Sequence, residues 1–358
     1  MAGIDDVARA AGVSTATVSR ALSGRGRVSA ATRARVEGAA DSLGYVVQAS
    51  ASSLASGRTR SVGVLLPLLD PWFFSTVLGG IADALARHGY DITLYVLSKD
   101  VDARREMFGT FLRRRRVDAV IAVSIALDER ESTALTGLGL PIVRIGGARG
   151  QEPSLAVDDE AVGALATSHL LQLGHRLIAH IGALPEFDSD FRVPTQRRHG
   201  YERALTEAGI ELDDGLFAAA DFTMTGGAAA AVRLLRREHR PTAIFAASDE
   251  MALGAILAAR DLGLRVPEDL SVVGVDGHEL GAFFGLTSID QFPREQGSRA
   301  ADTVLDLLQP GTRPDAPPPR KVLPFELVVR LSTASPASPL QPRTRVVPPG
   351  TTPVGSDA

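Results

Sequence analysis

Residues 12–22 read GVSTATVSRAL, a short run of small hydroxyl-bearing and aliphatic side chains with a single charge, Arg20. Upstream, Ile4, Val7, Ala8 and Ala11 recur at helical spacing, and Asp5 and Asp6 suit the positive end of a helix. Gly12 breaks that pattern where a sharp turn needs positive φ. Ser14 is a fitting N-cap for a second helix, with Val18 and Leu22 facing inward at i and i+4. A third amphipathic stretch runs from Thr32 to Leu43 through Val36, Ala39, Ala40 and Leu43. A small residue (Ala8), a tight turn (Gly12) and an aliphatic that packs back (Val18) are what two closely crossing helices require. The spacing therefore predicts a three-helix helix-turn-helix unit.

A second helix this slender fits a DNA major groove, with its N-terminal residues at the base edges. Thr15 and Ala16 hold those places; a threonine hydroxyl bonds several bases, and both side chains offer a methyl to thymine. Ser14, Thr17 and Ser19 are candidate phosphate donors, and Arg20 a candidate for a guanine edge or a phosphate. The plainer alternative is a three-helix module that packs on another surface. Charge favours DNA. Residues 1–60 carry eight Arg against four Asp or Glu, whereas the whole chain of 358 residues has a net charge of -4. A basic head on an acidic body is expected to meet a polyanion through the head alone.

The length calls for two or three domains, and 45% hydrophobic residues suffice for a sizeable core. The absence of cysteine excludes disulfides and thiolate metal sites. The N-terminus has no basic region followed by an apolar one, and no apolar run approaches a membrane span. The expected setting is cytoplasmic, with no membrane partner.

From residue 62 short apolar runs alternate with amphipathic helices. SVGVLLP, DITLYVL, DAVIAV and PIVRIG read as buried strands, with helices at about 75–88, 102–115 and 128–137. A second series follows: LIAHIGA, a weak strand near Leu216, TAIFAAS and SVVGVD, with helices at about 160–173, 195–208, 225–238 and 249–262. Near-continuous apolar strands alternating with helices indicate α/β architecture with doubly wound parallel sheets, and two such blocks imply two lobes with a cleft between them. After Leu331 the chain is dominated by Pro, Ser and Thr without apolar period, which reads as a disordered tail, 331–358.

The stretch IDDVARAAGVSTATVSRALSGRGRVSAATRARVEGAADSLGY resembles the DNA-binding headpiece of the LacI/GalR family of bacterial repressors almost position by position. HLLQLGHRLIAHIGA, RRHGYERAL, PTAIFAASDEMALGAI and RVPEDLSVVGVDG resemble that family's periplasmic-binding-protein-like core, so the likeness covers about residues 3–330. It implies a headpiece over 1–46, a hinge over 47–61, lobe one over 62–158 and 289–330, and lobe two over 159–288. The final helix, about 294–309, and the strand within KVLPFELVV would return to lobe one. The hinge departs from the family pattern. Ala51 and Leu54 match, but Val47, Gln48 and Ser52 stand where the family has Pro, Asn and Arg. The resemblance gives Leu54 the role of a minor-groove wedge; Arg27 completes the DNA-binding candidates.

In such folds ligands sit at the carboxyl ends of strands. Asp276 directly follows SVVGV, and Arg197 stands where the family carries a ligand-binding arginine. Together they suit adjacent hydroxyls of a sugar or other polyol, through charge-assisted hydrogen bonds. Trp72, Phe73 and Phe74 of DPWFF, taken as the end of a strand in lobe one, and Phe222 from lobe two offer flat apolar faces. Ser248 and Asp249 add polar candidates, although Asp249 equally suits a helix cap. Asp158 and Asp159 read as caps of the helix near 160, one of them within reach of the cleft. His169, His175 and His180 lack zinc spacing, so no metal is expected, and no other cofactor. Arg113–Arg116 ends a helix, where cations complement the dipole. No Walker loop, G-x-S-x-G or H-E-x-x-H appears, so an enzyme is not expected. The reading is a dimeric, effector-controlled repressor of a palindromic operator, with no leucine heptad for a tetramer. A solute-binding protein without DNA regulation is the alternative.

Overall fold

The structure, a computed structural model, describes residues 2–22, 27–45, 58–97, 100–114, 116–125, 127–137, 139–146, 153–183, 193–309 and 321–336. Three helices open the chain: α1 (Ile4–Ala11), α2 (Thr15–Leu22) and α3 (Ala30–Leu43). Gly12 adopts φ 64°, and the N–H groups of Gly12 and Val13 return to the carbonyls of Arg9 and Ala8 (3.3 and 3.0 Å). That left-handed residue ends α1 and sets the turn. Val7, Ala8, Ala11, Val18, Ala21, Val36 and Ala40 form one small core. Leu43, expected inside, is exposed. Gly44 turns the chain in the left-handed region, and Tyr45 packs on the core from the other side of the turn.

The body follows the alternating pattern. The first series is β1 (Ser61–Leu66), α4 (Trp72–Arg87), β2 (Asp91–Val96), α5 (Val101–Arg114), β3 (Ala119–Val123), α6 (Glu129–Gly137), β4 (Ile142–Ile145) and β5 (Ser154–Ala156). The second is α7 (Asp159–Gln172), β6 (Ile178–Ala183), α8 (Val193–Glu207), β7 (Phe217–Ala220), α9 (Met224–Leu235), β8 (Ala243–Ala246), α10 (Asp249–Asp261), β9 (Ser271–Asp276), α11 (Leu280–Phe284) and β10 (Thr287–Asp290). Helix α12 (Pro293–Leu307) and short strands β11 (Lys321–Val322) and β12 (Glu326–Val328) follow. One sheet has the order β11-β5-β4-β3-β1-β2 and the other β12-β10-β9-β8-β6-β7. In both, the parallel strands step outward in two directions from the first strand of the series, β1 or β6, and the central strands are buried on both faces, hence their continuous Val, Ile and Ala.

Two compact units result. The first comprises Met1–Leu69, Phe74–Leu155 and Arg294–Lys321; the second comprises Asp70–Phe73, Ala156–Pro293 and the chain from Val322. Helix α12 joins the first unit by close backbone approach: a Cβ on Gly80 would strike the backbone of Arg294, and one on Gly297 the backbone of Val77.

Three expectations are corrected here. Residues 287–290 form a strand of the second sheet, parallel to β9, so lobe one does not resume at 289. The KVLPFELVV stretch divides: β11 joins the first sheet beside β5, as expected, whereas β12 pairs antiparallel with β10 of the second, Ile289 opposite Leu327. A two-to-three-residue strand carries too little pattern to name its edge, and β10 would otherwise leave its backbone groups unpaired. Residues 331–336 are not a disordered tail. Ser332 is buried, with its Oγ donating to Val272 O (2.6 Å) and accepting from Thr287 N (2.8 Å). His175 Nε2 lies 2.8 Å from Ala334 O, and His169 Nε2 lies 3.0 Å from Thr333 Oγ1. Residues 337–358 lie outside the described residues. Among the described residues no helix is long and apolar enough to cross a membrane.

Candidate DNA-reading helix and effector site

Helix α2 carries no acidic residue. Thr15, Ala16, Ser19 and Arg20 are all exposed, and at spacings i, i+1, i+4 and i+5 they form one continuous face, opposite buried Val18 and Ala21. Ser14 caps the helix: its Oγ accepts from Thr17 N (3.2 Å) and lies 2.9 Å from Thr17 Oγ1. Between two hydroxyls sharing one hydrogen bond, one O–H remains to donate outward. Thr17 is half-buried, so its part is played through that pair. Arg20 folds back, its Nε donating to Ala16 O (3.0 Å), which leaves its terminal nitrogens outward. Arg27 is exposed. Leu54 lies outside the described residues, as does the rest of 46–57. Two supports went unpredicted. Arg33 Nη1 donates to Ala21 O (2.9 Å), satisfying a carbonyl at the end of α2. Ser29 caps α3 with Thr32 as Ser14 does with Thr17, and the repeated S-x-x-T spacing was the available signal.

The second unit gathers Phe222, Ser248, Asp249 and Asp276 at or just past the carboxyl ends of its strands, with Arg197 reaching them from α8. Among the described residues, three of the five non-glycine residues with positive φ lie at or just past such ends: Phe222 (62°) after β7, Asp276 (134°) on β9 and Phe292 (51°) after β10. Strain of this kind concentrates where a side chain must be aimed. Arg197, buried on α8, donates from Nε to Asp159 Oδ1 (2.8 Å) and from Nη1 to Ala247 O (2.5 Å). Its Nη1 lies 4.0 Å from Asp276 Oδ1, which accepts from Gln291 Nε2 (2.7 Å). Arg197 Nη2 and Asp276 Oδ2 have no hydrogen-bond partner among the described residues, so a donor and an acceptor stand side by side. Burial pushes the Asp276 carboxyl well above its usual range, against the pull of Arg197. The placement of Arg197 depends on glycine. A Cβ on Gly163 of α7 would strike the Arg197 backbone carbonyl, and one on Gly200 of α8 that of Glu160, so the two helices cross at backbone contact.

Other candidates serve the fold. Ser248 caps α10 through Met251 N (3.3 Å). Asp249 is fully buried; its carboxylate accepts from Ser288 Oγ (2.7 and 2.8 Å) and from His278 N (2.7 Å), which braces β10 and the loop after β9. Burial raises it to about 6. Ser248 and Asp249 thus hold the carboxyl end of β8 to α10, β10 and the loop after β9. Phe222 packs on the second-unit core. DPWFF does not end a strand but opens α4, and the unit boundary passes through it: Trp72 and Phe73 belong to the second unit, Phe74 to the first. Trp72 stacks on His278 (4.4 Å between centroids, 23° between planes), and its N–H donates to Glu250 Oε2 (3.3 Å). Asp158 caps α7 through Ala161 N (3.0 Å), which frees Asp159 for Arg197. Gln291 and His278 went unpredicted. Gln291 follows the strand the sequence hid, and His278 had no signal beyond its distance of two from Asp276.

Residues 3–48 match the family described as bacterial regulatory proteins, lacI family, and residues 167–333 match a periplasmic binding protein-like domain. The chain is 33% identical over 314 residues to the HTH-type transcriptional repressor PurR of Vibrio atlanticus (strain LGP32), covering 86% of this chain and 92% of that protein. Among solved structures it resembles the lac repressor dimer bound to operator and the anti-inducer ONPF: TM-score 0.80, 29% identity, 93% of this chain and 99% of that one. The transcriptional regulator CelR-cellobiose complex matches with TM-score 0.67 and 32% identity, over 93% of this chain and 100% of that one. Headpiece, paired sheets and sequence agree, and the chain belongs to the lacI family of bacterial regulatory proteins as a DNA-binding regulator of transcription.

Proposed function

We propose that the protein is a homodimeric repressor acting in the cytoplasm, whose grip on a palindromic operator is set by a small carbohydrate effector held in the second unit. The observation that carries this is the exposed Thr15–Ala16–Ser19–Arg20 face, on a helix free of acidic residues. Two copies of that face read successive half-sites, and Ser14 with Thr17 fixes register on phosphate. Residues 1–46 act as headpiece and 47–61 as hinge, with Leu54 as wedge. Arg197 and Asp276 hold the effector. Relatives support the partners: one is a repressor dimer on its operator, another a regulator complexed with cellobiose. Exposed apolar surface supports the homodimer, with Leu94 and Val96 on edge strand β2 and Phe283 and Leu331 in the second unit. By linkage, operator must change effector affinity by the factor by which effector changes operator affinity.

The test is selection of duplexes from a random pool by the full chain in moderate salt, with and without a cell metabolite extract. A palindrome with a fixed centre is expected, its yield changed by the extract. No enrichment under either condition overturns the DNA reading, and enrichment indifferent to every extract overturns the effector reading.

A further inference from the structure

The strand starts of the first sheet share one edge of the first unit. Ser61 lies beside Asp91 in the register of β1 with β2, and Val62 beside Ala119 in that of β1 with β3. Asp91 N donates to Arg60 O (2.9 Å) and Asp118 N to Ser61 O (2.8 Å), which holds residues 60, 61, 91 and 118 together. Helix α4 arrives at this edge with Arg87 and α5 with Arg113 and Arg114, and Arg116 leads into β3. Arg58, Arg60, Arg87 and Arg116 are all exposed. Arg58 Nη2 donates to Leu308 O just past α12 (2.7 Å). Among the described residues Arg60, Arg87 and Arg116 form no ion pair, whereas Arg105, Arg203, Arg265 and Arg299 elsewhere on the body each sit on a nearby carboxylate. Against these cations stand Asp91 and Asp306, both exposed, and Asp118, whose carboxylate accepts from Thr59 N (2.7 Å), Thr59 Oγ1 (2.9 Å) and Arg60 N (2.9 Å). Chain neighbours outside the described residues, 46–57 and Arg115, bring no carboxylate, so the edge is positive.

This is also where the body hands the chain over to the DNA-reading headpiece. Asp118 keeps Arg60 in the left-handed region, φ 50°, so the chain leaves the edge in a fixed direction. Residues 46–57 separate Tyr45 from Arg58 and span at most about 45 Å at full extension. That is little more than one helical turn of duplex, about 35 Å. A headpiece seated on DNA therefore keeps this edge within reach of the same duplex, at a high effective concentration of phosphate.

We infer that the strand-start edge of the first unit is a second DNA-contact surface, where Arg60, Arg87 and Arg116 meet backbone phosphates of the duplex that the headpiece reads. The contact extends the polyanion site beyond the headpiece. It carries no sequence information and adds affinity through counterion release.

The probe is a fluorescent duplex of random sequence, titrated with the full chain at several salt concentrations. One variant combines Arg60→Gln, Arg87→Gln and Arg116→Gln, which removes three charges and keeps the side-chain stems. A second combines Arg176→Gln, Arg236→Gln and Arg240→Gln, exposed arginines of the second unit, for the same change in net charge. In the first, the log–log salt slope should fall by about 0.9 for each edge arginine that meets a phosphate, up to about 2.7. Affinity near 0.15 M salt should then drop by up to about 100-fold. Lysine at the same three edge positions should restore the slope, because a point charge suffices for a phosphate. A fall of less than about 0.9 beyond that of the second variant overturns the inference and leaves the duplex to the headpiece alone. A slope that stays low with lysine overturns it as well, since the loss then follows the fold and not the charge.

Discussion

His180 sits in the middle of β6, wholly buried and stacked between Phe245 (4.7 Å) and Tyr201 (5.2 Å), with Phe217 tilted against it. Its Nδ1 lies 3.0 Å from Phe245 O and must carry the proton, which leaves Nε2 as a bare acceptor with no partner. A second proton would place a cation among three aromatic rings, so burial pushes the pKa down to about 3. The unfolded chain titrates near 6.5. Below that pH the unfolded state binds a proton that the folded state refuses, and stability falls by about 1.4 kcal/mol per pH unit until the folded value is reached. From pH 7.5 to pH 5.0 the cost is about 2 kcal/mol. Asp249 works in the opposite sense: its carboxyl, raised to about 6, favours the folded state as pH falls from there toward the ordinary carboxylate value. The wild-type curve mixes both, so the difference between wild type and His180→Phe isolates the histidine. Phe keeps the stack and removes the titration. The assay is urea unfolding at several pH values, followed by the fluorescence of Trp72, the chain's one tryptophan and a reporter of the second unit. The variant should gain about 2 kcal/mol on wild type between pH 7.5 and pH 5.0, whatever its constant offset. Parallel curves across that window would refute the reasoning.

Four further outcomes are expected. Arg20→Ala weakens operator binding by roughly 1–3 kcal/mol by fluorescence anisotropy; a log–log salt slope lower by about 0.9 assigns the contact to phosphate, an unchanged slope to a base edge. Asp276→Asn removes an acceptor from the Arg197 site and weakens the effector by about 1–3 kcal/mol in calorimetry. Gly163→Ala drives a Cβ into the Arg197 backbone, costing about 1–3 kcal/mol in urea unfolding together with effector affinity, since α8 carries the guanidinium. Phe283→Arg, at a side chain 85% exposed, shifts the sedimenting species from dimer toward monomer while the far-ultraviolet spectrum stays unchanged.

The headpiece was legible almost entirely. Its helices are short, its turn needs one glycine, and its caps are local, so nothing distant decides them. The long strands and helices of the body were legible for the same reason: β6, β8 and β9 are continuous apolar runs between periodic helices. What escaped was short and non-local. β10, β12 and the 331–336 segment owe their order to one another and to β9, through Ser332, Thr287 and Ser271, and no local pattern announces that bond set. Arg197 and Asp276 were found through resemblance and through position at a strand end. Gln291 was missed because its strand was. The bonds of Asp249 to Ser288 and His278 went unread because an aspartate after a strand looks the same whether it faces a ligand or a buried serine.

The late closure of both sheets bears on how the protein is made. The headpiece needs nothing beyond Tyr45, whereas the first unit waits for α12 and β11 and the second for β12 and the strap to Pro336. At ribosomal speed the interval is roughly 15–60 s. Through it, each nascent chain displays a DNA-reading helix with no finished body to govern it. A message cut short before codon 321 would release such a headpiece for good, with neither sheet complete and no effector able to instruct it.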